Sequence, residues 1–419
     1  MAKKTSVFKF SEIGKIMTDA SSGKNVIINN NQKREFIPTS IYILNALLSG
    51  SILDGGILAN RITILAGEEA TGKSFLCYHI AREAQAKGYK IMYIDTEGSI
   101  ELDDFESHGI KSDPDNLMLI DCSVVEDLTH ILAKTLSELQ SVKEDGGEIE
   151  KFMIFIDSLG QLSSRKEKAV AIEGKDTLDM TRAKAIKALF RIINSDLKHL
   201  GIPLVCTNHT YKSQDFIPTD IMGGGKGPYY SASSIVFLSK AKLSTGKEDE
   251  LDLGRSGIIV TAKAIKNRLA KPKKVKFHIS FEEGTNPYVG LDFFCVPEVF
   301  DVVGIAKGKV KVLPNGDQAF EPGGNRWYVN HLKKSVTASE LFTPEVFTQE
   351  VLEALDPLIH DYFRYKNHDE MTSMLKKFEN ILDEAEDKAN KMTKSLSEIT
   401  GKDLFKDDDL GNYEDMKDE

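Results

Sequence analysis

A phosphate-binding sequence occupies residues 67–74, which read GEEATGKS. This is the spacing of a P-loop, in which glycines turn backbone N–H groups towards phosphate oxygens at a helix N-terminus. In such loops the lysine reaches the β- and γ-phosphates, and the serine hydroxyl is a ligand of Mg²⁺. We therefore predict a site for ATP and Mg²⁺ in which Lys73 is also a catalytic residue. The predicted site is formed by Gly67, Glu68, Glu69, Ala70, Thr71, Gly72, Lys73, Ser74 and Phe75.

Three polar side chains follow apolar runs elsewhere in the chain. Asp157 ends the run FMIFID and is predicted to hold Mg²⁺ through water, together with Ser74. Glu97 follows KIMYID, directly after the P-loop helix, and is predicted to be the general base that polarises the attacking water, with Asp95 structural. His209 follows PLVCTN and is predicted to sense the γ-phosphate. The alternatives are that Glu97 and Asp95 only cap a strand, that Asp157 is an unrelated acid at a strand end, and that His209 is an ordinary surface or core residue.

The elements that must position these residues alternate between apolar strands and helices. The predicted helices cover residues 74–87, 125–141 and 177–200, and the predicted strands are ITILA, KIMYID, LMLID, FMIFID, PLVCTN, SIVFLS, GIIVTAKAI and KVKFHISF. Strands this apolar, alternating with helices, predict an α/β fold with a mostly parallel sheet covered on both faces. After residue 200 the strands follow one another closely, which predicts an antiparallel extension at one edge.

The composition is that of a globular chain of 419 residues with 41% hydrophobic residues. Its longest apolar runs fall short of the ~20 residues of a membrane span. The start, MAKKTSVFKF, has no apolar core of a secretion signal, and four scattered cysteines are expected to be reduced core residues. We therefore expect a cytoplasmic protein without membrane contact.

The net charge of −10 argues against a nucleic-acid partner. The distribution of charged residues along the chain, however, is compatible with such a partner. Residues 263–278 carry seven lysines and arginines and no acid, whereas residues 402–419 carry eight acids against three lysines. Such an acidic tail can compete with a polyanion for a basic surface, or it can be only a solvated, disordered terminus.

Two segments fit neither a helix nor a strand and are predicted to be DNA-binding loops. Residues 163–176 are rich in lysine and arginine, and residues 210–231 combine aromatic, basic and glycine residues that suit stacking on bases and close approach to phosphates. The glycine-rich second segment could instead be only a lid. The predicted DNA contacts, which include the start of the next long helix, are Arg165, Lys166, Lys168, Arg182, Lys184, Tyr211, Lys212, Met222, Gly223, Gly224, Gly225 and Lys226.

Several of these segments resemble the RecA-type recombinases, and most closely the UvsX recombinases of T-even-like phages. The resemblance lies in IDSLGQLSSRKEK, DMTRAKAIKALFRI, NHTY and MGGGKGPYYSA, and it extends over about residues 35–300. It implies an ATP-dependent recombinase with a RecA-type core. Such a protein polymerises on single-stranded DNA, finds homologous duplex DNA and exchanges strands.

The resemblance also assigns roles to individual residues. It makes Glu97 the catalytic glutamate and Asp157 the Mg²⁺-associated acid, and it places the second DNA-binding loop at residues 211–230. His209 stands where bacterial members have glutamine. In the basic run AIKNRLAKPKK, Lys266 and Arg268 are implied to contact the γ-phosphate of a neighbouring subunit.

The expected domain organisation has four parts. Residues 1–35, with a helix at 8–17, resemble the family's subunit-docking arm by position, and residues 36–297 form the ATPase core. Residues 298–400 are expected to be mostly helical, with helical segments at 339–365 and 368–399, and residues 401–419 form the acidic disordered tail. The implied partners are copies of the chain in a helical filament, DNA, a single-strand-binding protein and a recombination mediator. A hexameric helicase or other RecA-core motor, or a mediator that exchanges no strands, are the alternatives.

Overall fold

The computed structural model of the protein describes residues 34–174, 181–213, 218–243, 257–282, 284–312 and 318–366. The predicted helix at residues 8–17, the segment 368–399 and the acidic tail lie outside these ranges. The chain divides into two units, Met1–Arg364 and Tyr365–Glu419, and the fold described below is that of the first.

A ten-stranded sheet forms the centre of this unit, in the order β12-β11-β10-β9-β3-β7-β6-β4-β5, with the short strand β8 paired to the end of β7. The strands from β5 to β9 along this order are parallel. Beyond them β10, β11 and β12 are antiparallel, as predicted for one edge. The strands are β3 (Ile62–Gly67), β4 (Lys90–Asp95), β5 (Leu117–Asp121), β6 (Phe152–Asp157), β7 (Leu204–Lys212), β8 (Asp220–Met222), β9 (Ser234–Leu243), β10 (Gly257–Asn267), β11 (Lys274–Ser280) and β12 (Gly284–Thr285).

Helices cover both faces of this sheet, which is why its central strands are apolar throughout. They are α1 (Tyr42–Ser49), α2 (Lys73–Ala86), α3 (Leu102–Ser107), α4 (Val125–Glu144), α5 (Arg165–Ile172), α6 (Thr181–Leu200) and α7 (Lys226–Ser231). Side chains of a strand alternate between the two faces. Accordingly, Ile64 and Ala66 of β3 pack in one cluster with α4 and α6, while Leu65 packs in the other with α1 and α2. A further pair of short strands, β1 (Phe36–Ile37) and β2 (Ile57–Leu58), flanks α1.

The described part of the region after residue 298, which we predicted to be mostly helical, contains a three-stranded antiparallel sheet. Its strands are β13 (Ile305–Val312), β14 (Gln318–Val329) and β15 (Lys334–Val336). β14 was not recognised in the sequence because glycine and proline residues interrupt it. Lys307 pairs with Trp327 but the next residue pairs with Pro322, so residues 323–326 bulge out of the strand.

The described residues of this region also contain the helices α8 (Phe300–Val303), α9 (Ala338–Leu341) and α10 (Gln349–Phe363), and two 3₁₀ turns, Leu291–Phe294 and Pro297–Val299, precede them. The helical segment predicted at residues 339–365 is interrupted between α9 and α10. Within the described ranges, no helix is both long enough and apolar enough to cross a membrane.

Asn267 ties the antiparallel extension to α1. Its buried amide donates to the carbonyls of Leu47 (2.8 Å) and Leu48 (3.0 Å) at the end of that helix. Its side-chain oxygen accepts from the N–H groups of Leu269 (2.9 Å) and Ala270 (3.3 Å). One side chain thus satisfies backbone groups of two segments that are far apart in the sequence.

We expect Asn267→Ala to lower the free energy of unfolding by about 2–3 kcal/mol, because it leaves several buried polar groups unpaired. Denaturant unfolding measures the change. Asn330→Ala, at an exposed side chain, is the control and should change stability by less than about 0.5 kcal/mol. Equal stability of the two variants would show that Asn267 does not join these segments.

Candidate nucleotide site

The P-loop follows β3 and leads into α2, as the sequence predicted. Gly72 has a φ of 85°, a left-handed conformation that favours glycine, and Ala70 also has a positive φ of 54°. A Cβ atom on Gly67 would lie 2.5 Å from the carbonyl oxygen of Leu238, and one on Gly72 would lie 2.5 Å from Cδ1 of Ile279. The two glycines therefore let β9 and β11 pack closely against the loop.

Lys73 lies inside the loop that precedes it. Its Nζ donates to the carbonyl oxygens of Gly67 (3.1 Å) and Glu68 (2.8 Å), and the side chain is buried. Burial lowers the pKa of the Lys73 ammonium, while the carboxylates of Asp157 and Glu97 oppose that shift. A phosphate oxygen is a stronger acceptor than a carbonyl, so a bound nucleotide can take over these hydrogen bonds.

Asp157 lies at the end of β6, buried, with both carboxylate oxygens hydrogen-bonded. Its Oδ2 accepts from the Tyr93 hydroxyl at 2.8 Å, and its Oδ1 accepts from the Thr207 hydroxyl. In the described part of the chain, no group of three or more His, Cys, Asp or Glu residues could hold a metal ion by itself. A carboxylate and the Ser74 hydroxyl nevertheless fit Mg²⁺, which takes oxygen ligands and keeps waters and phosphate oxygens around it.

Glu97 and His209 lie next to each other at the same edge of the sheet. Oε1 of Glu97 accepts from the Ser158 hydroxyl at 3.1 Å. It lies 3.8 Å from Nε2 of His209, too far for a hydrogen bond. This nitrogen is shielded from solvent and has no hydrogen-bond partner among the described residues. The pair therefore places a carboxylate acceptor beside an imidazole nitrogen that has no hydrogen-bond partner among the described residues.

Asp95 fixes the segment that carries Glu97. Its Oδ1 accepts from the N–H of Glu97 at 2.8 Å, and its Oδ2 accepts from the N–H groups of Ser99 (2.8 Å) and Ile100 (2.9 Å). With its carboxylate occupied in this way, Asp95 positions the backbone, as the sequence suggested.

His209 is also connected to the second predicted DNA-binding loop. Its carbonyl accepts from the N–H of Gly223 at 3.1 Å, and the Asn208 amide donates to the Gly223 carbonyl at 2.9 Å. On its other side the imidazole touches Gly160, whose carbonyl accepts from the Arg182 guanidinium. The residue next to Glu97 thus contacts the backbone of the second predicted DNA-binding region, and it also contacts Gly160, whose carbonyl binds the predicted DNA contact Arg182.

The first of those regions is more regular than predicted. The irregular loop expected at residues 163–176 contains α5, because Ser164 and Glu167 form a capping box that starts a helix. Arg165 makes a salt bridge to Asp127, and Nζ of Lys168 donates to the Ser123 hydroxyl at 3.0 Å. Two of the predicted DNA contacts therefore bind groups of this chain.

The second region, residues 210–231, was also wrongly predicted to lack helix and strand. The end of β7 and β8 form a hairpin, clamped by a salt bridge of 2.6 Å between Lys212 and Asp220, and α7 follows the three glycines. A groove of about 770 Å³ runs from Glu68 of the P-loop along this hairpin. Of the predicted DNA contacts it is lined by Tyr211, Lys212, Met222, Gly225 and Lys226.

The other predicted contacts lie apart from this groove lining. They are Arg165, Lys166 and Lys168 on α5, Arg182 and Lys184 at the start of α6, and Gly223 and Gly224 beside the groove.

Lys266 and Arg268 lie away from the P-loop of their own chain. Lys266 of β10 pairs with Ile235 of β9, and Ile235 pairs in turn with Ile64 of β3. The P-loop begins three residues further along β3, at Gly67. Three residues of a strand span about 10 Å along the strand direction. Nζ of Lys266 donates to the carbonyls of Tyr229 (2.7 Å) and Tyr230 (3.1 Å) at the end of α7.

Known protein families match the region that contains this site. The RecA N-terminal domain family matches residues 12–286. The chain belongs to this family.

Individual RecA relatives are distant in sequence. The "Recombination and repair protein" of Enterobacteria phage T4 is 30% identical over 262 residues, which are 62% of this chain and 63% of the T4 protein. "Protein RecA" of Campylobacter fetus is 26% identical over 279 residues, or 64% of this chain and 73% of the relative. "Protein RecA" of Wolbachia pipientis is 24% identical over 337 residues, or 79% and 83%. The chain thus spans less than two thirds of the T4 protein.

The RecA-type core and the resemblance to the phage recombinases are confirmed by these matches. Three residues of the site escaped sequence reasoning, namely Tyr93, Gly160 and Thr207. Tyr93 and Thr207 lie within apolar strands, so only their hydrogen bonds to Asp157 identify them as residues of the site.

We expect Gly160→Ala to reduce nucleotide hydrolysis about a hundredfold, the order of effect that follows from displacing a catalytic group by about 1 Å. The added Cβ would lie 2.6 Å from Cδ2 of His209 and would push the imidazole from its place. Steady-state turnover and nucleotide affinity measure the effect, and affinity should hardly change. A double-mutant cycle with His209→Ala provides the control. An undiminished effect of Gly160→Ala in that background would contradict the explanation.

Proposed function

We propose that the protein is an ATP-dependent homologous recombinase that polymerises on single-stranded DNA, pairs it with homologous duplex DNA and exchanges strands. The contact that carries this proposal is the connection from Glu97 and His209, through the end of β7, to Gly223 in the hairpin region. A group that binds beside His209 can thereby influence the segment that we propose to grip DNA. Membership of the RecA family supports the same assignment.

Within this proposal each residue of the nucleotide site has a role. The P-loop and Lys73 bind the phosphates of ATP, and Glu97 acts as the general base towards the attacking water. Ser74 and Asp157 would hold Mg²⁺, which neutralises charge on the phosphates when it is bound. His209 would donate a hydrogen bond from Nε2 to the γ-phosphate, since that nitrogen has no partner among the described residues.

The cations Lys266 and Arg268 would serve the site of a neighbouring protomer. Along the strand direction, Lys266 lies about 10 Å from the P-loop of its own chain. This separation favours action of the two cations on the nucleotide site of another subunit. Burial and the neighbouring Arg268 lower the pKa of Lys266, which the carbonyls at the end of α7 hold in place. The protein would then be active as a helical filament of identical copies.

The relatives support a proposal about the cellular processes in which the protein acts. The name of the T4 relative refers to recombination and repair, and we propose the same processes, together with recombination-dependent replication, in the cytoplasm of a bacterial host cell. A single-strand-binding protein and a recombination mediator are the further partners that we propose.

The decisive test is a strand-exchange assay between a circular single strand and homologous linear duplex DNA, with and without ATP. We expect ATP-dependent exchange, and filaments on single strands with a non-hydrolysable ATP analogue. Closed rings that unwind duplex DNA would identify a helicase instead. Nucleotide-dependent loading of another recombinase without exchange would identify a mediator.

The action of Lys266 and Arg268 between subunits can be tested by mixing two inactive variants. Glu97→Gln lacks the base but keeps the cations, whereas Lys266→Ala/Arg268→Ala keeps the base but lacks the cations. At a one-to-one ratio, half of the P-loop sites keep Glu97, and half of the neighbouring subunits keep both cations. About a quarter of the subunit contacts would therefore join an intact P-loop site to the intact cations that complete it. We therefore expect DNA-stimulated turnover to return to about a quarter of the wild-type rate. If the mixture is as inactive as each variant alone, the cations do not act between subunits.

The proposed DNA surface predicts a specific dependence on salt. Single-strand affinity should fall as salt rises, with a logarithmic slope of about −0.7 for each phosphate contact. Lys226→Ala, in the groove beside the hairpin, should make this slope smaller by about 0.7. Lys134→Ala, at an exposed position of α4, is the matched control and should leave the slope unchanged. Identical slopes for both variants would remove Lys226 from the DNA contacts.

A further inference from the structure

Two hydroxyl groups hold the carboxylate of Asp157 from the strands on either side of it. Asp157 ends β6, Tyr93 lies on β4 and Thr207 lies on β7, and these two strands are the neighbours of β6. Tyr93 and Thr207 are fully buried, and Asp157 is only 6% exposed. Each hydroxyl reaches a different carboxylate oxygen.

Core packing accounts for the ring of Tyr93 but not for its hydroxyl. The ring stacks on Phe155 at a centroid distance of 5.5 Å and meets the edge of Phe105 at 5.1 Å. Phenylalanine would make the same ring contacts without a buried polar atom that needs a hydrogen-bond partner. Valine would likewise fill the space of Thr207. Both residues differ from apolar ones of equal size in a hydroxyl that binds Asp157, and the hydroxyl of Tyr93 also interacts with the Cys77 thiol.

A carboxylate at the end of a strand can rotate about its Cβ–Cγ bond unless donors fix both of its oxygens. Each carboxylate oxygen accepts about two hydrogen bonds, so a single hydroxyl on each leaves acceptor capacity for water or a cation. Hydrogen bonds to a charged group are also stronger than those between neutral groups. The two hydroxyls can thus hold the carboxylate plane without blocking its use as a metal partner.

We propose that Tyr93 and Thr207 are positioning residues that orient the Asp157 carboxylate for Mg²⁺ bound with ATP. The inference rests on the proposed function only in its assignment of Asp157 as the Mg²⁺ partner. It adds to that assignment the two residues that give the carboxylate its orientation.

The test is the Mg²⁺ dependence of nucleotide binding, measured without DNA and without turnover. A fluorescent, slowly hydrolysed ATP analogue is titrated into the full-length protein at increasing Mg²⁺ and in EDTA. For Tyr93→Phe we expect the half-saturating Mg²⁺ concentration to rise about ten- to a hundredfold, as expected on loss of one hydrogen bond to a charged group. Affinity in EDTA should stay within about twofold of wild type, since the P-loop is unchanged.

Matched variants separate positioning from packing. Tyr78→Phe removes the hydroxyl of a second buried tyrosine, whose ring stacks against that of Tyr93 at 6.0 Å, and it should leave the Mg²⁺ requirement unchanged. Thr207→Val should raise the requirement as Tyr93→Phe does. Thr207→Ser, which keeps the hydroxyl, should restore it. Thermal unfolding shows whether each variant is folded.

Three results would overturn the proposal. The first is an unchanged Mg²⁺ requirement in both Tyr93→Phe and Thr207→Val. The second is an equal loss of affinity in EDTA and in Mg²⁺, which would show a general structural role. The third is nucleotide binding by the wild-type protein that does not depend on Mg²⁺. None of these outcomes depends on strand exchange, so failure of the recombinase assay would be a separate result.

Discussion

A sheet that is covered on both faces can bury a polar side chain only where that side chain is hydrogen-bonded, and the arrangement of this protein follows from that constraint. Polar side chains that must bind a ligand can then lie only where the strands end. Because β3, β4, β6 and β7 are parallel, their ends meet at one edge of the sheet. There the fold gathers the P-loop, Glu97, Asp157 and His209 from segments that are up to 142 positions apart in the sequence.

Much of the fold and of the site could be predicted from the sequence because of the same constraint. Apolar runs mark buried strands, and a polar residue at the end of such a run stands out, as Asp157 does. The order of the strands is not contained in any one segment. The sequence therefore did not reveal that β6 lies between β4 and β7, or that Glu97 and His209 come within 3.8 Å of each other.

The failures of sequence reasoning also have physical causes. The capping box at Ser164 starts a helix in a segment whose charges indicated a loop. In β14 a bulge accommodates the glycines and proline of a region that was predicted to be mostly helical. Tyr93 and Thr207 went unnoticed because a tyrosine or threonine in a strand is normally a packing residue. Only the hydrogen bonds to Asp157 distinguish them.

The distance between Lys266 and the P-loop of its own chain has a consequence for assemblies of this protein. If each hydrolytic centre needs cations from an adjacent copy, then a row of n protomers contains n − 1 complete centres. The two ends of such a row also differ, since one carries a P-loop without borrowed cations and the other carries cations without a P-loop to serve. Such a head-to-tail contact does not close upon itself in pairs, so it favours open growth. Output per protomer would then rise with the length of the row, and a short fragment would be disproportionately slow.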